Sequence, residues 1–151
     1  MFKFLIKLFA SGFGVGYFPF ASGTLGTLLG VLIYFLISKS KFFIPIIIIL
    51  FFFGVYVSTK AEEIYNEKDS HKIVIDEIVG FFIALAFLPS CILYIIVGFL
   101  IYRFLDIVKP YPARLFHNFK GGFGIMLDDA TVGLYTNLIL QVVNILKLIQ
   151  C

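Results

Sequence analysis

Charged residues punctuate the chain and leave between them apolar stretches of the length that lipid selects, about 20 residues per membrane span. Residues 24–38 are uncharged and close at Lys39-Ser40-Lys41, which predicts a first, short apolar helix that could be re-entrant. Residues 42–59 carry no charge and are rich in Phe and Ile, so they read as a span despite Pro45 near their start. A polar loop is expected over 60–72, where Glu62, Glu63, Glu67, Lys68 and Asp69 crowd together. Residues 73–108 would make one helix roughly 54 Å long against a hydrocarbon core of about 30 Å. That stretch must fold back, and Pro89-Ser90 near its middle predicts two short arms whose open ends share one face. A loop over 110–127 then leads to Asp128 and Asp129, which are expected to open a last apolar helix over 130–146. The N-terminal run 1–10 holds Lys3 and Lys7 and is followed by no clear cleavage site, which predicts a retained interfacial helix. The pattern as a whole predicts an all-α, polytopic integral membrane helical bundle of four or five short transmembrane helices with an N-terminal interfacial or re-entrant segment. A single domain covers 1–151.

Composition agrees with the pattern: 61% hydrophobic residues, 14% charged residues and a mean hydropathy of +1.05 lie outside the range of soluble domains. The net charge of +3 is small, and the basic residues do not interleave with stacking aromatics as a nucleic-acid surface would require. Cys91 and Cys151 offer neither a metal-ligand spacing nor a convincing disulfide framework. Counting five spans places Lys3, Lys7, Lys60, Lys68, Lys72, Lys109, Arg114 and Lys120 on one side and Lys39, Lys41 and Lys147 on the other, so the face with Asp76 and Asp129 is expected to be cytoplasmic.

Five carboxylates in or beside apolar helices are the main candidate chemistry, because an acidic side chain near a bilayer centre costs roughly 2.5 to 3.5 kcal/mol. Asp76 and Glu77 begin one arm, Asp106 ends the other, and Asp128 and Asp129 join the same face. A single Asp there would read as a helix cap. Five converging on one surface suit a hard divalent cation such as Mg2+, which prefers oxygen ligands. Arg103 and Asp106 share a helix face and Lys109 follows one turn later, so a metal-bound phosphate could occupy these cations; an internal Arg103–Asp106 pair with a snorkelling Lys109 is the plainer alternative. Ser22-Gly23-Thr24, just before an apolar helix, could bind an anion or simply pack closely. Lys120 and the glycines at 121, 122 and 124 form a segment fit to admit a headgroup beside Asp128 and Asp129.

Other chemistries lack their residues. No Cys-x5-Arg loop is present, and His71 and His117, both in expected loops, have no triad neighbours and read as surface residues. Asn137, Gln141 and Asn144 share a face of the last helix and are expected to bond between helices. An ion-coupled transporter or channel with a carboxylate-lined pathway is the rival class, and a membrane assembly subunit a weaker one.

Four ordered segments carry a resemblance: Pro19-Phe20-Ala21-Ser22-Gly23-Thr24-Leu25-Gly26; Asp76-Glu77-Ile78-Val79-Gly80; Arg103 through Asp106 to Lys109-Pro110-Tyr111-Pro112; and Gly121-Gly122-Phe123-Gly124-Ile125-Met126-Leu127-Asp128-Asp129. Together they resemble the bacterial phosphatidylglycerophosphatase A family over most of the chain. The resemblance implies a Mg2+-dependent phosphatase that converts phosphatidylglycerophosphate to phosphatidylglycerol and phosphate in the bacterial cytoplasmic membrane. It makes Asp76, Glu77, Asp106, Asp128 and Asp129 the catalytic and metal-binding set, with Arg103, Lys109, Lys120, Ser22, Gly23 and Thr24 on the substrate phosphate. The family motif often has Pro where Ser22 stands, so Ser22 is expected to contact phosphate without acting as nucleophile.

Overall fold

The computed structural model describes residues 1–116 and 118–149, and within them the chain is all-helical. Its helices are α1 (Phe2–Ala10), α2 (Ser22–Ile37), α3 (Phe43–Tyr65), α4 (Ile75–Ala84), α5 (Ile92–Val108), α6 (Ala113–Phe116) and α7 (Gly122–Ile145), with a 3-10 turn at Val15–Tyr17. His117 and Cys151 lie outside the described residues, and with them the surface reading of His117. Cys91 is disulfide-bonded, which corrects the expectation from cysteine spacing.

Stretch 73–108 folds back as its length demands. α4 stops at Ala84, the backbone turns through residues 85–91, and α5 returns. The arms are unequal because the turn begins before Pro89. Asn137 of α7 closes the break: its Nδ2 donates to the carbonyls of Ala84 (3.0 Å) and Ala86 (2.8 Å), which the end of α4 leaves without helical partners. Gln141 Nε2 adds a longer bond to Ala86 O (3.4 Å), and Tyr94 of α5 donates to Asn144 Oδ1 (3.0 Å). The polar face of the last helix is thus spent on holding the hairpin.

Two boundaries differ from expectation. α3 runs through Tyr65, so Glu62 and Glu63 are helical, and the polar segment is shortened to residues 66–74. Here i,i+3 pairing of Lys60 with Glu63 (2.8 Å) and the left-handed Asn66 at the helix end extend a helix that hydropathy alone would stop. α7 begins at Gly122, so Asp128 and Asp129 lie well inside the helix and do not open it. Gly122 is needed there for approach, not freedom: a Cβ would press on the backbone N of Thr59 at 2.7 Å and on the carbonyl of Val55.

The centre of the molecule is α4, whose residues Val79, Phe81, Phe82 and Ala84 are fully buried. α7 packs on it most extensively, followed by α2. At the α4–α7 crossing a Cβ on Gly133 would strike the Gly80 carbonyl, and one on Gly80 would lie 2.8 Å from the Asp129 carbonyl and collide with the Tyr102 hydroxyl. Small residues let two backbones approach this closely. Among the described residues one helix, α3, is long and apolar enough to cross a membrane, with a mean hydropathy of 2.1.

Replacing Asn137 with Leu should leave the Ala84 carbonyl without a donor and destabilise the protein by about 1–3 kcal/mol. Thermal unfolding of the detergent-solubilised variant measures this; an unchanged midpoint would mean that the turn does not depend on α7.

Candidate active site

α4, α5 and α7 each bring acidic residues to one region of the molecule. Asp76 and Glu77 occupy the first turn of α4, where the exposed peptide N–H groups favour negative charge. Asp129 stands one turn above Gly133 on α7, as Asp76 stands one turn above Gly80 on α4. The glycine crossing therefore sets the two acids side by side. Carboxylate oxygens of Asp76, Glu77 and Asp129 lie within 4.8 Å of one another. Tyr102 of α5, fully buried, donates its hydroxyl to Asp129 Oδ2 at 3.0 Å and fixes that carboxylate.

The five-acid set divides. Asp106 Oδ2 accepts from Arg103 Nη1 at 2.6 Å, and Asp128 Oδ2 accepts from Lys109 Nζ at 2.6 Å. Successive helix residues point about 100° apart, so Asp128 and Asp129 face different neighbours. Lys109 does not snorkel: it caps α5 in a left-handed conformation, φ 45°, and reaches the buried Asp128. Burial would lower its pKa, but Asp129 and then Asp128 outweigh that and raise it above the ordinary lysine value. It stays a cation at physiological pH.

A cavity of about 430 Å3 collects Asp76, Glu77, Asp129, Asp106, Arg103 and Lys109, with Ser22 and Gly23 at the start of α2. Gly23 is where α2 meets the acids: a Cβ there would collide with Glu77 Oε1 and sit 3.2 Å from Arg103 Nη2. Ser22 Oγ donates to the His71 carbonyl (2.7 Å), and Thr27, fully buried, lies 3.4 Å from Arg103 Nη1. Thr24 and Lys120 do not line this cavity; Lys120 is exposed on the turn before α7. The lining also includes Asp69, Ser70 and His71, from the polar segment expected to be solvated. Its closeness in sequence to Asp76 was the signal for them. Tyr102 carried none beyond its place beside Arg103.

Asp76 Oδ1 and Glu77 Oε2 are buried with no hydrogen-bond partner, as is Arg103 Nε. Buried polar atoms are normally satisfied. Three converging carboxylates, two with orphaned oxygens, fit a hard divalent cation held by oxygen donors, and the neighbouring guanidinium and ammonium fit an anion brought beside it.

The described residues and this cavity define a strongly apolar, all-helical protein in which acids and cations from α4, α5 and α7 share one site. Residues 8–144 match the family model Phosphatidylglycerophosphatase A, and the chain belongs to that family. It is 40% identical over 136 residues to the phosphatidylglycerophosphatase A of Haemophilus influenzae, covering 86% of this chain and 83% of that one. The Escherichia coli phosphatidylglycerophosphatase A is 35% identical over 134 residues, 83% of this chain and 76% of its own. A Bacteroides thetaiotaomicron protein, provisionally named a phosphatidylinositol-3-phosphatase, is 37% identical over 150 residues, 93% of this chain and 94% of its own. No solved structure matches the chain significantly.

Lys109→Met should strand the Asp128 carboxylate, 2% exposed, and cost about 3 kcal/mol of stability. Adding Asp128→Asn to the same chain should recover most of that loss. Unfolding midpoints of the two single variants and the double variant test the coupling; strict additivity would mean that the pair contributes nothing.

Proposed function

We propose that the protein is a Mg2+-dependent phosphatidylglycerophosphatase, releasing phosphate from phosphatidylglycerophosphate to leave phosphatidylglycerol. The observation that carries this reading is the pairing, within one cavity, of a three-carboxylate cluster holding orphaned oxygens with Arg103 and Lys109. Family membership supports this choice of substrate. Asp76, Glu77 and Asp129 would hold the metal. Bound there, Mg2+ would supply Lewis-acid polarisation of a phosphoryl group. Arg103 and Lys109 would take phosphoryl oxygens and stabilise the charge that develops as the P–O ester bond breaks, with net addition of water to give the free alcohol and phosphate. Asp106 and Asp128 orient those two cations through their ion pairs with Arg103 and Lys109. Ser22 and Gly23 present the start of α2 to the phosphate, with Gly23 leaving the space.

We place the protein in the bacterial cytoplasmic membrane, multi-pass, with this cavity facing the cytoplasm. α3 crosses fully; α2, the α4–α5 hairpin and α7 complete a bundle of four or five embedded segments. Exposed Ile49, Phe52, Leu100, Phe104, Leu138 and Ile145, on α3, α5 and α7, supply apolar surface for lipid tails. The exposed aromatic residues Phe2 and Phe4 on α1, beside Lys3 and Lys7, suit a helix lying in the headgroup layer.

Purified protein should release phosphate from phosphatidylglycerophosphate, lose this activity in a chelator and regain it with Mg2+. Asp129→Asn should lower kcat at least 100-fold with folding retained. Tyr102→Phe should leave turnover at saturating metal within a few-fold but raise the Mg2+ concentration for half activity about tenfold, because a buttress of a ligand has gone. Full activity of Asp129→Asn, or turnover indifferent to chelation, would sink the reading.

A further inference from the structure

A second cavity of about 430 Å3 adjoins the first, lined by Asp69, Ile107, Val108, Lys109 and Arg114. Asp69, Ile107 and Lys109 line both, so the two meet at the C-terminal end of α5. Arg114, on α6, is exposed, and its Nη2 donates to the Val108 carbonyl at 3.3 Å. A neutral carbonyl thus steadies the guanidinium over the opening, and a guanidinium has five N–H donors to offer. Ile107, 76% exposed, and Val108, 44% exposed, lay apolar surface along the same rim.

We infer that this second cavity is a phosphodiester subsite with Arg114 as its anion-binding group, which makes the substrate class lipids that carry a phosphomonoester separated by a polyol from a phosphodiester. The inference rests on the function proposed above. When the monoester sits between the carboxylate cluster and Arg103, the rest of the headgroup leaves along the shared edge formed by Asp69, Ile107 and Lys109. One polyol further along, such a lipid presents a singly charged diester. That group needs a cation but no metal, and an exposed guanidinium with open donors matches it. The apolar rim of Ile107 and Val108 then meets the glycerol and upper acyl carbons. Phosphatidylglycerophosphate has this layout, and so does a phosphatidylinositol 3-phosphate, the lipid in the name of the Bacteroides relative. Phosphatidate, a monoester alone, does not.

The test is steady-state kinetics of the full chain on phosphatidylglycerophosphate, with inorganic phosphate as a competitive probe of the monoester position. Arg114→Ala should raise KM about tenfold, the scale of one lost charge-assisted hydrogen bond, with kcat within twofold. The inhibition constant of inorganic phosphate should stay at the wild-type value. Arg114→Lys, which keeps the charge but not the fork, should recover part of the loss. An unchanged KM, or a parallel rise in the phosphate inhibition constant, overturns the subsite. Wild-type protein that releases no phosphate from this lipid would instead strike the parent reading.

Discussion

The close crossing of α4 and α7 is the constraint on which the rest depends. Gly80 and Gly133 bring two backbones to a distance that no Cβ would allow, and each glycine lies one turn from an acid, Asp76 on one helix and Asp129 on the other. Helical periodicity then sets those acids adjacent without any further device. Tyr102 shares the crossing, since its hydroxyl occupies the space that Gly80 leaves open and from there reaches Asp129. One packing contact thus positions a candidate ligand and its buttress together.

Gathering acids at that point is electrostatically costly, and the surrounding charges show how the cost is met. Arg103 and Lys109 answer Asp106 and Asp128 and bring positive charge to the edge of the cluster, while Asp76 and Glu77 sit on the first turn of α4, whose dipole favours them. Asp76 Oδ1 and Glu77 Oε2 remain unanswered by protein. Buried groups left so are uncommon in stable folds, and they fall where a cation would satisfy both. The position of the cluster also bears on the rival transport reading. An ion pathway places its carboxylates near mid-membrane, whereas Asp76 and Glu77 stand at the start of α4, Asp106 near the end of α5, and all three line, with Asp129 of α7, a cavity that includes the exposed His71.

Much of this was legible in the sequence because length and charge speak directly. Stretch 73–108 could not be one helix in a bilayer, and folding it at residues near Pro89 put Asp76 and Asp106 on one face. Asn137, Gln141 and Asn144 could be assigned to interhelical bonds from spacing alone, although not to the turn carbonyls of Ala84 and Ala86 that they include among their partners. What could not be read was helical phase. Whether Asp128 or Asp129 joins the cluster depends on how α7 rotates against α4, and that follows from Gly133 meeting the Gly80 carbonyl, a contact between residues far apart in the chain. The glycines that looked like a flexible entrance are the opposite, a tightly packed first turn. The lining contributed by residues 69–71 was hidden for a similar reason, since polarity alone marks a segment as wet and wet segments can border a cavity as well as bulk water.

The same geometry separates the bonds that close the hairpin from the charges that line the cavity. Interhelical bonds at Asn137, Gln141 and Asn144 lie at the far end of α4 from Asp76, while the acids and cations occupy its near end. The ten-residue length of α4, roughly 15 Å, keeps those ends apart. Near-end charges can therefore rearrange around an anion without loosening the hairpin, because the bonds that close it are made a helix length away. A longer first arm would have carried the turn deeper and left its carbonyls beyond Asn137. The early stop at Ala84 lets one helix, α7, hold the turn at one level and present Asp129 at the other.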